Sequence, residues 1–145
     1  MTTNIPDGSL ENKKKSLKEQ IKTLTADLMY PSESDEKIEY FEMELSISQK
    51  LSMTDFRMYM GIKPETLISE ISFDDFFKPL VKVEDWFGEE EKKWAEDSLK
   101  LKNLLTEKVK EFQIFKVGSI ESDIFVFGKA EECKWVGLET KVVET

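Results

Sequence analysis

The sequence predicts an α+β fold in which helices cover a mainly antiparallel sheet. Helical patterns occupy the start and the middle of the 145-residue chain, and segments with strand periodicity close it. A single domain of this length buries roughly two-thirds of its extended-chain surface, so one core is expected without a metal or disulfide staple. We expect a flexible segment over residues 1–8 and a single domain over residues 9–145.

The first helix is predicted to begin after Ser9, which can act as its N-cap. Apolar residues follow at helical spacing from Leu10 to Leu28, and lysines fill the other faces. Pro31 is expected to end the helix. From Phe41 to Ile47, apolar residues alternate with Glu and Ser, which predicts a half-buried strand.

Shorter elements are predicted in the middle of the chain, before one long helix. A short helix over 54–60 is stopped by Gly61 and Pro64, TLISEIS is a candidate strand, and FDDFF begins a helical turn. The long helix runs from about Glu89 to Glu111. Acidic residues fill its first turn, where they suit the positive end of the helix dipole.

The last part of the chain changes to the period of a sheet. The segments FQIFKVG, DIFVFG and KWVGLETKVV are rich in aromatic and β-branched residues. They are separated by Gly118-Ser119 and by Gly128 with polar neighbours, which are typical of turns. These segments predict an antiparallel meander.

Composition excludes several kinds of chemistry. The chain contains 30 Asp+Glu, 21 Lys+Arg and no His, a net charge of −9. Without an imidazole, Ser-His-Asp and Cys-His catalysis and His-bearing zinc sites are impossible, and the single cysteine, Cys133, is expected to be buried apolar filler. The acidity argues against direct nucleic-acid binding and favours a basic protein partner. No apolar stretch approaches the ~20 residues of a membrane span. We therefore expect a cytoplasmic protein with no membrane association, no cofactor and no metal of its own.

Carboxylates are concentrated in two places, around Glu39 and around Trp86. Paired carboxylates can serve as acid and base in hydrolases, but the sequence specifies no substrate cleft, and neither a calcium-loop spacing nor a Gly-rich phosphate loop is present. Trp86 stands in VEDWFGEEE, in an acidic turn just before the long helix. It is either an interface anchor or a hydrophobic staple over the helix start, whereas Trp94 and Trp135 fit packing positions. The residues favour a binding module over an enzyme.

The end of the sequence resembles a known family. GLETKVVET, preceded by FKVGSIESDIFVFGKA, resembles the C-terminal signature of the nuclease A inhibitor family, small proteins that inhibit sugar-nonspecific DNA/RNA endonucleases. LMYPSES, FDDFF and DWF follow the order and approximate spacing of that family. The resemblance covers about Leu17 to Thr145, and is strongest from Phe73 onward and weakest over residues 46–71. It implies a three-layer α/β/α sandwich like that of pathogenesis-related protein 1.

The resemblance also implies a mechanism without a catalytic residue in this chain. A monomer would form a one-to-one complex with a magnesium-dependent, sugar-nonspecific endonuclease and block its active site. By position, the functional residues would be Glu33 in SES, Trp86 in DWF and the C-terminal Thr145. Oxygens of Glu33 and Thr145 could engage the nuclease's magnesium ion, directly or through water. The acidic residues expected to face the basic walls of the nuclease cleft are Asp85, Glu89, Glu90, Glu91 and Glu144.

Two alternatives remain open at the level of the sequence. One is an acidic binding or regulatory module for another basic protein, in which KVVET is only the last strand. The other is a small carboxylate hydrolase, which would require a ligand-sized apolar cleft flanked by two buried acids.

Overall fold

A computed structural model describes residues 16–31, 35–44, 50–131 and 134–143. Within these ranges, helices and strands alternate over the first part of the chain, and three long strands follow the longest helix. The helices are α1 (Leu17–Thr25), α2 (Met53–Met60), α3 (Phe73–Val81) and α4 (Glu89–Lys108). The strands are β1 (Met29–Tyr30), β2 (Glu36–Lys37), β3 (Glu39–Glu44), β4 (Ile68–Glu70), β5 (Lys110–Gly118), β6 (Glu121–Glu131) and β7 (Lys134–Val143).

The central sheet has five strands in the order β3-β7-β6-β5-β4, and every neighbouring pair is antiparallel. Strands β5, β6 and β7 form the predicted meander at its centre. β1 and β2 pair separately as a two-stranded antiparallel unit. The predicted α+β class with a mainly antiparallel sheet is therefore confirmed.

Three helices cover one face of the sheet. Ile124 and Val126 of β6 point to this face and join a buried cluster with residues of α1, α3 and α4. Both α1 and α3 pack against α4. The fully or almost fully buried members from the helices are Ile21, Phe76, Phe77, Leu80, Leu101 and Leu105.

A second, aromatic cluster lies on the opposite face. Phe125 and Phe127 alternate with the β6 residues of the first cluster, so they point to this side. Phe56 of α2 is fully buried here, and its ring stacks on Phe127 with centroids 5.5 Å apart. Trp135, predicted to serve packing, is fully buried in the same cluster.

The first helix differs from its predicted bounds. The predicted start at Ser9 lies outside the described residues; the helix that is described begins at Leu17, with Ser16 as N-cap accepting the Glu19 backbone N–H at 3.1 Å. The prediction that it continues to Leu28 is wrong, because the chain leaves the helix after Thr25. Leu28 is nevertheless buried, since the turn that follows returns it to the core.

Two boundaries near the C-terminal strands are also corrected. The long helix ends at Lys108 rather than at Glu111, which belongs to β5 and has a φ of 56° beside a register shift in that strand. Gly128 lies inside β6, opposite Val136, and not in a turn. A Cβ at Gly128 would come within 2.7 Å of the Lys110 carbonyl oxygen, so a close backbone approach requires this glycine. Cys133 lies outside the described part of the chain.

Strand β3 is half-buried, as predicted. Met43 of the predicted apolar face is buried in the aromatic cluster, whereas Tyr40 on the other face is half-buried against the first cluster. Glu42, predicted to face solvent, forms ion pairs with Lys134 at 3.3 Å and Lys18 at 3.5 Å. Burial raises the pKa of Glu42, but the two lysines outweigh it and lower the pKa below its usual value. This carboxylate therefore links α1, β3 and β7.

Candidate protein-binding site around Trp86

Trp86 lies in the tight connection between α3 and α4. The Phe87 N–H donates to the Glu84 carbonyl at 3.1 Å, which closes a turn, and the Gly88 N–H donates to Oε1 of Glu91 at 2.9 Å, which caps α4. The Trp86 side chain is 72% exposed. Its ring packs edge-on against Phe87, with centroids 4.7 Å apart. The connection therefore holds a large apolar ring out in solvent.

The position of Trp86 relative to the N-cap of α4 decides whether it is a hydrophobic staple. A hydrophobic staple requires an apolar residue directly before the N-cap that packs against the first turn of the helix. Gly88 is the N-cap of α4, so Phe87 and not Trp86 occupies that position. The hydrophobic-staple interpretation of Trp86 is therefore wrong, and an interface role stays a prediction.

A pocket of about 410 Å³ opens beside Trp86. Its walls come from the α1–β1 connection, β1, the β1–β2 connection, the end of α3, the α3–α4 connection and the first half of α4. The apolar lining residues are Leu28, Met29, Pro31, Pro79, Leu80, Trp86, Phe87, Trp94 and Ala95. Trp94, predicted to serve packing, is only half-buried because one side of it borders this pocket.

The polar lining of the pocket is predominantly acidic. It contains the carboxylates of Asp35, Glu84 and Glu91 against the single ammonium group of Lys82. Lys82 lies 3.4 Å from Oε2 of Glu84, so part of its charge is already matched. Asp35 is exposed, and Glu84 and Glu91 are half-buried. The pocket is thus an apolar depression with a negatively charged rim.

Ser98 of α4 is the remaining polar lining residue, and it is fully buried. Its hydroxyl makes no hydrogen bond with any residue that the structure describes. A buried hydroxyl without a partner is energetically costly in a folded protein. Among the described residues of the pocket lining, Ser98 thus carries a buried polar atom whose hydrogen-bonding capacity is unused.

The structure describes five of the predicted site residues. Trp86 and the half-buried Glu91 line the pocket, and Asp85, Glu89 and Glu90 are exposed. Glu33, Glu144 and Thr145 lie outside the described ranges, so their predicted roles stay predictions. Pro31 and Asp35, the described residues on either side of 32–34, both line the pocket.

The end of β7 lies close to the same part of the chain. The Thr140 hydroxyl donates to the Lys37 carbonyl at 2.8 Å, and both β1 and β2 contact β7. β3 runs antiparallel to β7. The end of β3 that is nearer to Asp35 in the sequence therefore lies beside the end of β7 that leads to Val143. The described residues that flank Glu33 and precede Thr145 therefore lie at the same end of these strands.

Sequence reasoning missed Asp35, Met29 and Ser98 as members of the site. Ser98 left a detectable signal, because it is a polar residue four positions after Trp94, on the apolar face of the long helix. The other two left none. Met29 and Asp35 join the site only because the chain after α1 passes the end of α3.

The condition set for a carboxylate hydrolase is met only in part. The pocket is apolar and large enough for a small ligand, but none of its three carboxylates is buried. Among the described residues, no group of three or more Asp, Glu and Cys is arranged to hold a metal ion. The arrangement suits recognition of a partner group rather than acid–base chemistry.

No helix in the described ranges has the length and apolarity needed to cross a bilayer.

A search of curated proteins returned no match. A family model described as nuclease A inhibitor-like protein matches residues 15–145. Since that match includes the segments that carry the resemblance in the sequence, the chain belongs to the nuclease A inhibitor-like family.

Proposed function

We propose that this protein inhibits a magnesium-dependent, sugar-nonspecific DNA/RNA endonuclease by covering its nucleic-acid-binding cleft with the surface around Trp86. Family membership supports a nuclease-inhibitor role in general and favours a non-enzymatic protein. The observation that carries the specific proposal is the 72% exposure of Trp86 within an acidic rim. Tryptophans of this kind supply much of the binding free energy in protein interfaces.

Charge on this surface supports the same partner. Asp85, Glu89 and Glu90, which are close to Trp86 in the sequence, are exposed and add to the acidic rim residues Asp35, Glu84 and Glu91. A nuclease cleft that holds phosphates is lined by basic groups, which attract such a surface and orient it during encounter. The inhibitor thereby replaces the polyanion without offering a bond that the nuclease can cleave.

The magnesium ion of the nuclease is the proposed target of Glu33 and Thr145. Magnesium prefers hard oxygen ligands and usually retains part of its water shell, so a carboxylate can engage it directly or through water. The convergence of Asp35 and Val143 at one end of their strands supports a joint action of the two residues. The proposed complex contains one inhibitor monomer and one nuclease, and the three-layer fold like that of pathogenesis-related protein 1 stays a prediction.

Titration of the purified chain against a panel of magnesium-dependent, sugar-nonspecific endonucleases tests the proposal. Plasmid degradation by at least one nuclease should stop at a one-to-one ratio. Unchanged degradation by every nuclease of the panel at molar excess of the chain would contradict it. A magnesium-dependent restriction enzyme serves as control for simple removal of the metal, since its activity should be unaffected.

Shortening the chain by Glu144 and Thr145, or changing Glu33→Ala, separates metal engagement from binding in general. Both variants should stay folded and inhibit more weakly, by roughly tenfold or more, because each loses charged oxygen ligands. Circular dichroism checks the fold. Full inhibition by both variants would remove these residues from the mechanism.

A further inference from the structure

We propose that the pocket beside Trp86 binds an arginine side chain of the partner protein. The identification of that partner as the nuclease rests on the proposed function. The site combines aromatic walls, an excess of carboxylates at the rim and a buried hydroxyl without a partner. Each of these three features matches one part of an arginine side chain.

The aromatic walls match the stem and the flat face of the guanidinium group. Trp86, Phe87 and Trp94 line the pocket together with aliphatic side chains. Guanidinium groups stack on aromatic faces and are more weakly hydrated than ammonium groups, which favours arginine over lysine in an apolar site. The volume of about 410 Å³ leaves room for the whole side chain.

The rim matches the charge. Asp35, Glu84 and Glu91 face a single lysine, Lys82, which already pairs with Glu84. Asp35 has no ion pair with any described residue, so its carboxylate is available to an incoming cation. The rim would repel an anionic side chain, and a neutral side chain would leave the negative charge of the rim unbalanced.

Ser98 matches the hydrogen-bonding edge of the guanidinium group. Its side chain belongs to the pocket lining, and its hydroxyl oxygen is a buried acceptor with no partner among the described residues. A guanidinium group carries five N–H donors, enough for the rim carboxylates and for a further acceptor. One of these donors, on reaching the buried oxygen, would give the Ser98 hydroxyl the partner that it lacks in the free protein.

Butylguanidinium, which reproduces the arginine side chain, tests the site without any nuclease, and butylurea is its neutral counterpart of the same shape. The indole N–H signals of Trp86 and Trp94 in ¹H–¹⁵N spectra should shift saturably with butylguanidinium. Binding of butylurea should be roughly tenfold weaker, since it lacks the cation–π and charge contributions. Equal affinity for the two probes would overturn the proposal in favour of a neutral apolar ligand, and no response to either would overturn it outright.

Two pairs of variants assign the interaction to this pocket. Asp35→Asn should weaken butylguanidinium binding by roughly threefold to tenfold, whereas Glu65→Gln, an exposed acid elsewhere on the surface, should not change it. Ser98→Ala should also weaken it, whereas Ser122→Ala should not, because the Ser122 hydroxyl already donates to the Ser119 carbonyl. Unchanged binding in both Asp35→Asn and Ser98→Ala would overturn the assignment.

The same variants separate this inference from the proposed function. A chain that inhibits a nuclease with undiminished affinity after Asp35→Asn and Ser98→Ala keeps the proposed function and overturns the arginine site. A chain that binds butylguanidinium but leaves every nuclease active keeps the arginine site and contradicts the proposed function.

Discussion

At the scale of single residues, Trp86 is the side chain on which the proposed interaction most depends. Its ring is large and largely exposed, it packs edge-on against Phe87, and the turn that carries it is closed by a backbone hydrogen bond. An aromatic side chain of this kind offers a large contact area at a low cost in conformational entropy. Tyr59 of α2 is also a large exposed aromatic residue, 47% exposed, but it lies outside the pocket lining. Tyr59 is therefore a suitable control position for substitutions of Trp86.

Trp86→Ala should raise the dissociation constant of the nuclease complex by roughly 30-fold or more, about 2 kcal/mol, since a central interface tryptophan is removed. The free energy of unfolding should change by less than about 0.5 kcal/mol, because the ring is not in the core. Isothermal calorimetry and urea unfolding measure the two quantities. Tyr59→Ala should leave the affinity unchanged; an equal loss in both variants would deny Trp86 a special role.

Glu139 is a carboxylate whose ionisation opposes folding. Burial raises the pKa of Glu139, and the neighbouring charges of Glu39, its direct cross-strand partner, and Asp123 raise it further. The ionised form is thus less favourable in the folded chain than in the unfolded chain. Stability from this group is complete at pH values below the carboxyl's ordinary pKa and is lost as the pH rises through the raised pKa of the folded state.

Glu139→Gln should therefore stabilise the protein at pH 7 by about 0.2–1 kcal/mol, the usual size of a like-charge cross-strand interaction. The gain should disappear as the pH falls below the ordinary carboxyl pKa, where both chains are uncharged at this position. Thermal unfolding at several pH values measures it. Glu121→Gln is the control, because Glu121 pairs with Lys141 at 3.7 Å and its loss should bring no gain. A gain that persists at low pH would contradict the electrostatic cause.

At the scale of elements, α4 connects the core to the candidate site. One face of the helix buries Leu101 and Leu105 in the first cluster, and the same face continues through Ser98 and Trp94 into the pocket. The unused hydroxyl of Ser98 is thus embedded in an otherwise apolar surface. Stability and binding make opposite demands on this position.

Ser98→Ala should raise the free energy of unfolding of the free protein by about 1 kcal/mol, because an unsatisfied buried hydroxyl is removed and alanine favours helix. At the proposed arginine site, the same change should weaken binding. Ser122→Ala should act in the opposite direction and destabilise the protein, since it removes a satisfied hydrogen bond at a buried position. Urea unfolding of both variants checks the signs; destabilisation by Ser98→Ala would show that its hydroxyl is already paired.

The elements also show what sequence periodicity can and cannot predict. The C-terminal strands and α4 were predictable because aromatic and β-branched residues mark strands and a long apolar spacing marks a helix. Gly128 was misassigned, since a glycine required by the close approach of Lys110 has the same letter as one required by a turn. The ion pairs of Glu42 could not be predicted, because its two lysine partners come from distant parts of the chain.

At the scale of the whole molecule, the carboxylates behind the net charge of −9 serve different purposes. Glu42 joins three elements through its lysines, whereas Asp35, Asp85 and Glu89 are exposed on the side that carries Trp86. Exposed charges act at a distance and are screened by salt. The acidic side should therefore govern how fast the complex forms more than how long it lasts.

Raising the ionic strength from about 0.05 to about 0.5 M should lower the association rate constant with the nuclease roughly tenfold or more, with a much smaller change in the dissociation rate constant. Surface plasmon resonance or stopped-flow fluorescence separates the two. An association rate insensitive to salt would contradict electrostatic steering.

The pocket could not be predicted from the sequence, and Trp94, which lines it, was predicted to serve packing. The pocket is assembled from segments after α1, the end of α3, the α3–α4 connection and the start of α4, so that its described lining residues run from Leu28 to Ser98. Helical spacing places Trp94 and Ser98 on one face, but no local pattern places Asp35 or Met29 opposite them. The residues alone left Trp86 as either an interface anchor or a hydrophobic staple. The family resemblance implied an interface role, but neither defined the surroundings of the ring.

Displacement of nucleic acid from the nuclease shows whether this protein occupies the nucleic-acid-binding cleft. A fluorescently labelled, hydrolysis-resistant oligonucleotide is bound to the magnesium-loaded nuclease, and its anisotropy is followed as this protein is added. We expect complete displacement at one equivalent, a shift to much higher concentration for Trp86→Ala, and no shift for Tyr59→Ala. Formation of a ternary complex, with the protein bound and the oligonucleotide retained, would contradict occupation of the nucleic-acid cleft.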